Sequence, residues 1–436
     1  MKAPMPHPAP NAAAPRVHII GAGMAGLACA VRLVSHGRAV SLHEAAGQAG
    51  GRCRSFVDAS LDRLIDNGNH LLLSGNRAVN AFLATIGASD RLDGPERARF
   101  PFLDVETGER WCLTPSAGPV PWWLLRADRR IPGTRARDYL EGLKLARASD
   151  ADRVADLLTP GTPLYRRFWA PLTVGVLNAA PEEAAAALLW PVIKETFGRG
   201  EAACRPRMAR NGLSDSFVTP ALAWLTARGA EIAFNHRLRA IEYGDGRPAA
   251  LVFSEETPLR LGPADQVVLA VPPAVAAGLL PGLTVPEGSR CIVNAHFRLD
   301  HAPEGFADDF EGPLGVIGGT AEWLFVRGDV ASVTVSAADA LAALDPDEIA
   351  ARIWRDVALA LGLDAAARPP VRIIKEKRAT FAQTPDQLCR RPPTRPPGYG
   401  LCLAGDWTHT GLPATIEGAL RSGEAAADAA LHWRFT

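Results

Sequence analysis

Val17-His18-Ile19-Ile20 is an apolar run short enough for a buried parallel strand. From Met24 to His36 small and apolar residues recur at helical spacing, and Arg38 to Glu44 reads as a second strand. Strand, turn, helix and strand in that order predict the start of a doubly wound α/β sheet. The pattern then changes. Residues 76–211 read as mostly helical, apart from a hairpin at 99–113 with Thr107-Gly108 at its turn. Strands are predicted within 231–243 and at 266–271. Residues 291–299, 322–327 and 331–336 alternate as antiparallel strands do, and 346–361 carries the stripe of an amphipathic helix. Leu401–Ala404 is a last apolar strand. A helix is predicted from Ala414 to Leu431, with Pro413 just before it, where a missing N–H costs nothing.

Composition narrows the field. A chain of 436 residues favours two domains, and 47% hydrophobic residues supply ample core. Forty-seven basic residues balance 47 acidic ones, so nucleic acid is not an expected partner. The seven cysteines are scattered with no C-x-x-C, which fits reduced thiols and predicts neither a disulfide framework nor a metal site. Residues 1–15 are Pro- and Ala-rich without an apolar core, and read as a flexible tail. No run of 18 apolar residues predicts a transmembrane helix.

Chemistry enters at the two ends. Gly21-Ala22-Gly23-Met24-Ala25-Gly26 sits between the first strand and the first helix. There Gly21 serves the tight turn, Gly23 the approach of backbone to a pyrophosphate, and Gly26 close helix–strand packing. The helix N-terminus, with Met24 and Ala25, offers N–H groups to phosphate. Glu44, followed by Ala45, stands where an acid accepts ribose hydroxyls, and its charge disfavours a 2′-phosphate. Gly50-Gly51 can cross the same pyrophosphate, with Arg52 to neutralise it. At the other end, Gly405-Asp406 closes a strand, and Pro413-Ala414-Thr415-Ile416 leads into a helix whose N-terminus suits an anionic ring. Together these ends predict FAD.

These motifs resemble the flavin amine oxidases, protoporphyrinogen oxidases and carotenoid desaturases. A narrower branch, the hydroxysqualene dehydroxylases, is similar in Gln48–Ser55, in Ile65-Asp66-Asn67-Gly68-Asn69-His70 continuing to Asn76, in Trp169–Leu172 leading to Asn178, and in Gly405–Thr408 leading to Gly418. The resemblance implies a Rossmann-like FAD-binding domain interleaved with an α+β substrate domain containing an antiparallel sheet. The expected segments are 16–75, 212–275 and 372–436 for FAD, and 76–211 and 276–371 for substrate. It also implies that Asn67, Gly68 and Leu238 lie on the cofactor, Leu238 near the adenine. The implied reaction is reductive removal of the allylic hydroxyl of hydroxysqualene to give squalene, in bacterial hopanoid synthesis. A carotenoid-type desaturase or isomerase, or a non-catalytic escort protein on the same scaffold, stays open.

The resemblance also weighs against amines. Amine oxidases keep a lysine near the flavin on a substrate-domain strand, and residues 276–371 contain none. Thr415 stands where they carry a cage tyrosine. Asp66 and His70 are the candidate acid, or its orienter, for the departing hydroxyl; His409 is a weaker one. Trp122-Trp123 beside Arg126, Arg129, Arg130, Arg135 and Arg137 resembles an interfacial anchor. The expected location is therefore cytoplasmic and peripheral to the inner membrane, with substrate arriving from squalene-synthase-like enzymes upstream.

Overall fold

The computed structural model describes residues 15–254, 257–303 and 312–433. The tail expected at 1–15 lies, except for Pro15, outside the described residues.

Arg16–Ile20 forms the central strand of a five-stranded parallel sheet. Ala39–His43 pairs on one side of it and Gln266–Leu269 on the other. Glu231–Ala233 extends the first edge and Cys402–Leu403 the second. The chain therefore leaves the central strand in both directions, which makes its carboxyl end a topological switch point, where such sheets bind ligands. The helix Met24–Ser35 covers one face together with the C-terminal helix Ile416–Leu431. Gly423 makes that contact possible: a Cβ there would stand 2.1 Å from the Ala25 carbonyl oxygen.

The second layer is a seven-stranded sheet in the order Val371–Phe381, Ser289–Arg298, Val330–Val335, Trp323–Arg327, Leu314–Ile317, Phe100–Asp104 and Arg110–Leu113. Its pairs are antiparallel except Leu314–Ile317 with Phe100–Asp104. The predicted hairpin thus supplies the sheet's edge. Helix Pro346–Leu361 packs on one face through Ile349, Ile353, Trp354 and Val357. Its ends follow from sequence: Asp345 accepts the Asp347 N–H at 2.8 Å, Pro346 opens the first turn, and Gly362 ends it at φ 68°. The opposite face looks into the interior.

Two expectations are corrected. Val371–Phe381 pairs along its length with Ser289–Arg298, so the chain returns to the cofactor layer after Phe381, not at 372. The C-terminal helix starts at Ile416, capped by Thr415 Oγ1 on the Gly418 N–H, and Pro413 and Ala414 lie in the turn before it.

Candidate functional site

The glycines gather as their chemistry requires. Gly21 sits at φ 105°, and a Cβ on it would meet the Ala270 carbonyl at 2.3 Å. A Cβ on Gly26 would stand 1.9 Å from the Gly21 carbonyl. Gly23 differs: a Cβ there meets nothing within 4 Å. Gly50 bridges to Gly23, donating its N–H to the Ala22 carbonyl at 2.8 Å, and Gly51 lies beside Gly23. No side chain caps the helix that begins at Met24 and Ala25. An open cradle, an uncapped helix N-terminus and two glycine segments side by side fit a pyrophosphate. Glu44 accepts the N–H groups of Ala22 and Ala46, each at 2.8 Å, which fixes its carboxylate beside the cradle with Ala45 exposed next to it. Leu238 is buried with Leu251 and Phe253 at the start of its strand.

Arg52 is placed differently from the expectation. Its guanidinium pairs with Asp406 at 2.7 Å and donates to the Ala379 carbonyl. Gly51, at φ 58°, turns the chain so that the next side chain reaches the C-terminal block instead of the glycine cradle. Gly405 donates its N–H to Ser422 Oγ at 2.8 Å. Arg391, unnoticed in the sequence, is buried beneath this block. It donates to the carbonyls of Asp406 and Leu412 and to Thr410 Oγ1. Burial lowers its pKa to about 10.

From Arg52 and Pro413–Ile416 a cavity of about 290 Å³ runs between the layers, far more than the ~10–15 Å³ one water needs. Phe100, Phe102, Phe168, Leu172, Phe197 and Trp323 are among the large apolar side chains that line it. One end is polar. There the 66–70 loop docks on the inner face of the large sheet. Asn294 Nδ2 donates to the Asn67 carbonyl at 3.2 Å, Thr334 Oγ1 to Asn294 Oδ1 at 2.8 Å, and Asn69 Nδ2 to Thr334 Oγ1 at 3.2 Å. Gly68, Asn69 and His70 line the cavity. Gly68 must be small, because Asn294 Nδ2 is 3.1 Å from where its Cβ would be.

The two catalytic candidates separate. Asp66 is absent from the cavity wall. Its carboxylate accepts from Ser55 Oγ at 2.6 Å, Leu213 N at 2.9 Å and Arg327 at 3.1 Å, bonds that anchor the loop. His70 does reach the cavity. Burial, with Arg52 adding to it against the pull of Asp66, lowers its pKa to about 4, so the ring is neutral at pH 7. His409 is exposed and outside the cavity wall. Thr415 lines the cavity. Lys375 and Lys377, just beyond the lysine-free stretch 276–371, do not line the wall, and Lys375 donates to the Leu344 carbonyl behind the sheet. The residue between them, Glu376, does line the cavity, as do Ala379 and Thr380 further along the strand. Alternation along Val371–Phe381 was the available signal for Glu376.

The proposed anchor splits as well. Trp122 is 63% exposed, but Trp123 is buried edge-on against Tyr139 at 5.4 Å. Arg129 and Arg130 are held by backbone carbonyls.

Comparison with known proteins agrees with this geometry. The profile of the flavin containing amine oxidoreductase family matches residues 24–431. The hydroxysqualene dehydroxylase of Rhodopseudomonas palustris is 48% identical over 95% of this chain and 98% of its own. That of Sinorhizobium fredii is 45% identical over the same shares. Among solved structures, a putrescine oxidase superposes with a TM-score of 0.69 at 17% identity, covering 96% of this chain and 99% of that one. At that identity it supports the fold alone.

Proposed function

The chain belongs to the flavin containing amine oxidoreductase family and, within it, to the hydroxysqualene dehydroxylases, and we propose that it reductively removes the allylic hydroxyl of hydroxysqualene to give squalene, for bacterial hopanoid synthesis. The cofactor is FAD, which when bound and reduced supplies a hydride. Gly21, Gly23, Met24, Ala25, Gly26, Gly50 and Gly51 are assigned to the pyrophosphate, Glu44 and Ala45 to the ribose, and Leu238 to the adenine end. Arg52, Asn67, Gly68, Gly405, Asp406, Pro413, Ala414, Thr415 and Ile416 are assigned to the flavin end.

One observation carries the reading: a largely apolar cavity that meets polar groups of the 66–70 loop and the C-terminal block, with no lysine in its wall among the described residues. Each CH₂ of an isoprenoid buried there contributes ~0.8 kcal/mol. The walls exclude water from an ionising C–O bond. His70, neutral, donates a ring N–H to the substrate hydroxyl and holds it toward the flavin. The test is anaerobic incubation of reduced enzyme with hydroxysqualene, followed by lipid analysis. One squalene per reduced flavin is expected. Absence of squalene, or peroxide release from simple amines at a matching rate, would overturn the proposal.

Substrate access goes with a surface. Val120, Trp122, Leu125, Leu140 and Leu143 are exposed large apolar residues within one short stretch. Residues 119–147 carry seven basic against three acidic residues. Among the described residues no helix is long and apolar enough to cross a membrane. Peripheral attachment of this surface to the anionic cytoplasmic leaflet, with hydroxysqualene delivered through the bilayer from an upstream synthase, is the proposed route.

A further inference from the structure

Reductive loss of a hydroxyl needs more than a hydride. The C–O bond breaks with both electrons going to oxygen, hydride fills the vacated carbon, and the departing hydroxide must take a proton to become water. The cavity wall presents five charged or titratable side chains: Arg52, His70, Glu195, Glu376 and Glu417.

Three of the five are committed elsewhere. Arg52 is paired with Asp406. Glu417 accepts the Ala78 and Val79 N–H groups, each at 3.0 Å, and shares Arg421 with Glu195. Glu195 also lies 3.6 Å from Arg77. His70 is held neutral by burial, which suits an orienting donor and leaves no imidazolium to give up a proton.

Glu376 is different. It projects from Val371–Phe381, opposite Ile292 and one residue from Lys375, whose side chain goes to the other face. Among the described residues its carboxylate accepts two hydrogen bonds, both long: from Asn67 Nδ2 at 3.3 Å and from the Arg378 N–H at 3.4 Å. Asn67 is fixed in turn through its carbonyl to Asn294 and Thr334. The polar end of the cavity is thus a rigid network in which one carboxyl group keeps hydrogen-bonding capacity free.

We propose that Glu376 is the catalytic acid that protonates the departing hydroxyl, placed by Asn67 at the polar end of the substrate cavity. The assignment rests on the proposed dehydroxylation. The proton passes from the Glu376 carboxyl to the hydroxyl oxygen as the C–O bond breaks, and a reduced flavin held at the C-terminal block would supply the hydride for the new C–H bond. Water leaves, and the carboxylate is reprotonated from solvent once the product departs.

The test uses the flavin-loaded enzyme and two substrates: hydroxysqualene and its acetate ester. Acetate leaves without needing a proton. Glu376→Gln should lower kcat on the alcohol at least ~100-fold, within the usual range for a general acid. KM and the flavin absorbance should stay near wild type, and turnover of the ester should match wild type. Full activity of E376Q on the alcohol would overturn the proposal. So would an equal loss on alcohol and ester, which marks a structural role. If E376Q does not retain flavin, Glu376→Asp is read by the same ratio of alcohol to ester rates. A wild-type enzyme that converts neither substrate refutes the dehydroxylation itself, a separate outcome.

Discussion

Gly23→Ala separates a ligand cradle from a packing position within one motif. Gly23 has φ −75°, which any residue adopts, and a Cβ on it points into open space. Alanine at a helix N-cap is poorer than glycine by roughly 1 kcal/mol at most. The lower entropy of its unfolded chain returns ~0.4–1 kcal/mol. Stripped of flavin, the variant should melt within about 3 °C of the stripped wild type. Flavin occupancy should collapse, because the methyl group fills the space assigned to the pyrophosphate. At a free flavin concentration 100 times its Kd, the wild type gains ~2.7 kcal/mol that the variant lacks. Gly423→Ala is the control. Its Cβ would lie 2.1 Å from the Ala25 carbonyl and 2.9 Å from the Ala28 Cβ, so the two long helices must move apart. Overpacking of this kind costs ~1–3 kcal/mol with or without ligand. The assay is the flavin-to-protein absorbance ratio, with thermal melts of stripped and reloaded protein. Full flavin in Gly23→Ala, or a stripped form melting as low as stripped Gly423→Ala, would refute the cradle.

Asp66→Asn should destabilise the protein by several kcal/mol, since each bond to the buried charge is worth ~1.5–3 kcal/mol, while properly folded, flavin-loaded enzyme keeps its turnover; urea unfolding beside kinetics checks both. His296 is buried with its pKa lowered by desolvation from 6.5 to about 4, so the unfolded chain binds the extra proton first. Its contribution is complete above pH 6.5 and is lost at ~1.4 kcal/mol per unit as pH falls toward 4; His296→Gln should flatten the slope of unfolding free energy there, and an unchanged slope would contradict it. Trp122→Ser with Leu125→Ser should reduce co-sedimentation with anionic vesicles and leave the flavin spectrum intact, whereas Trp123→Ser should lower the melting temperature; vesicle binding that ignores the first pair removes the surface assignment.

What was legible in the sequence is what backbone geometry dictates. Gly21, Gly26 and Gly50 are set by close approach of main chain, and the short buried strands around them by apolar runs. The same local logic found the amphipathic helix at 346–361 within a residue of its ends. What was not legible depends on which way a side chain turns after the chain has crossed between layers. Arg52 follows two glycines that suggest phosphate, yet it reaches residue 406 in the C-terminal block. Asp66 and His70 are four residues apart on one loop, and only the docking of that loop decides that one is an anchor and the other faces the cavity. Trp122 and Trp123 are adjacent and identical in type, and packing against Tyr139 buries just one of them.

The register of Val371–Phe381 carries this furthest. Lys375, Glu376 and Lys377 are consecutive, so a strand alternating across its sheet offers the cavity either the carboxyl or the ammonium groups. Ladder pairing sets Glu376 against Ile292, on the same face as Asn294, while Val293 and Ala295 belong to the core behind the sheet. A slip of one residue would reverse the charge at the polar end. Two features oppose a slip. Lys375 is tied to the Leu344 carbonyl, and Ile373 packs against the core behind the sheet. An irregularity between Arg290 and Ile292 then absorbs extra residues, setting Thr380 opposite Arg290 while Glu376 stays opposite Ile292, and both Glu376 and Thr380 line the cavity. Among the described residues, the absence of a lysine from this cavity is therefore a matter of strand register and not of composition, since Lys375 and Lys377 flank Glu376, which faces it.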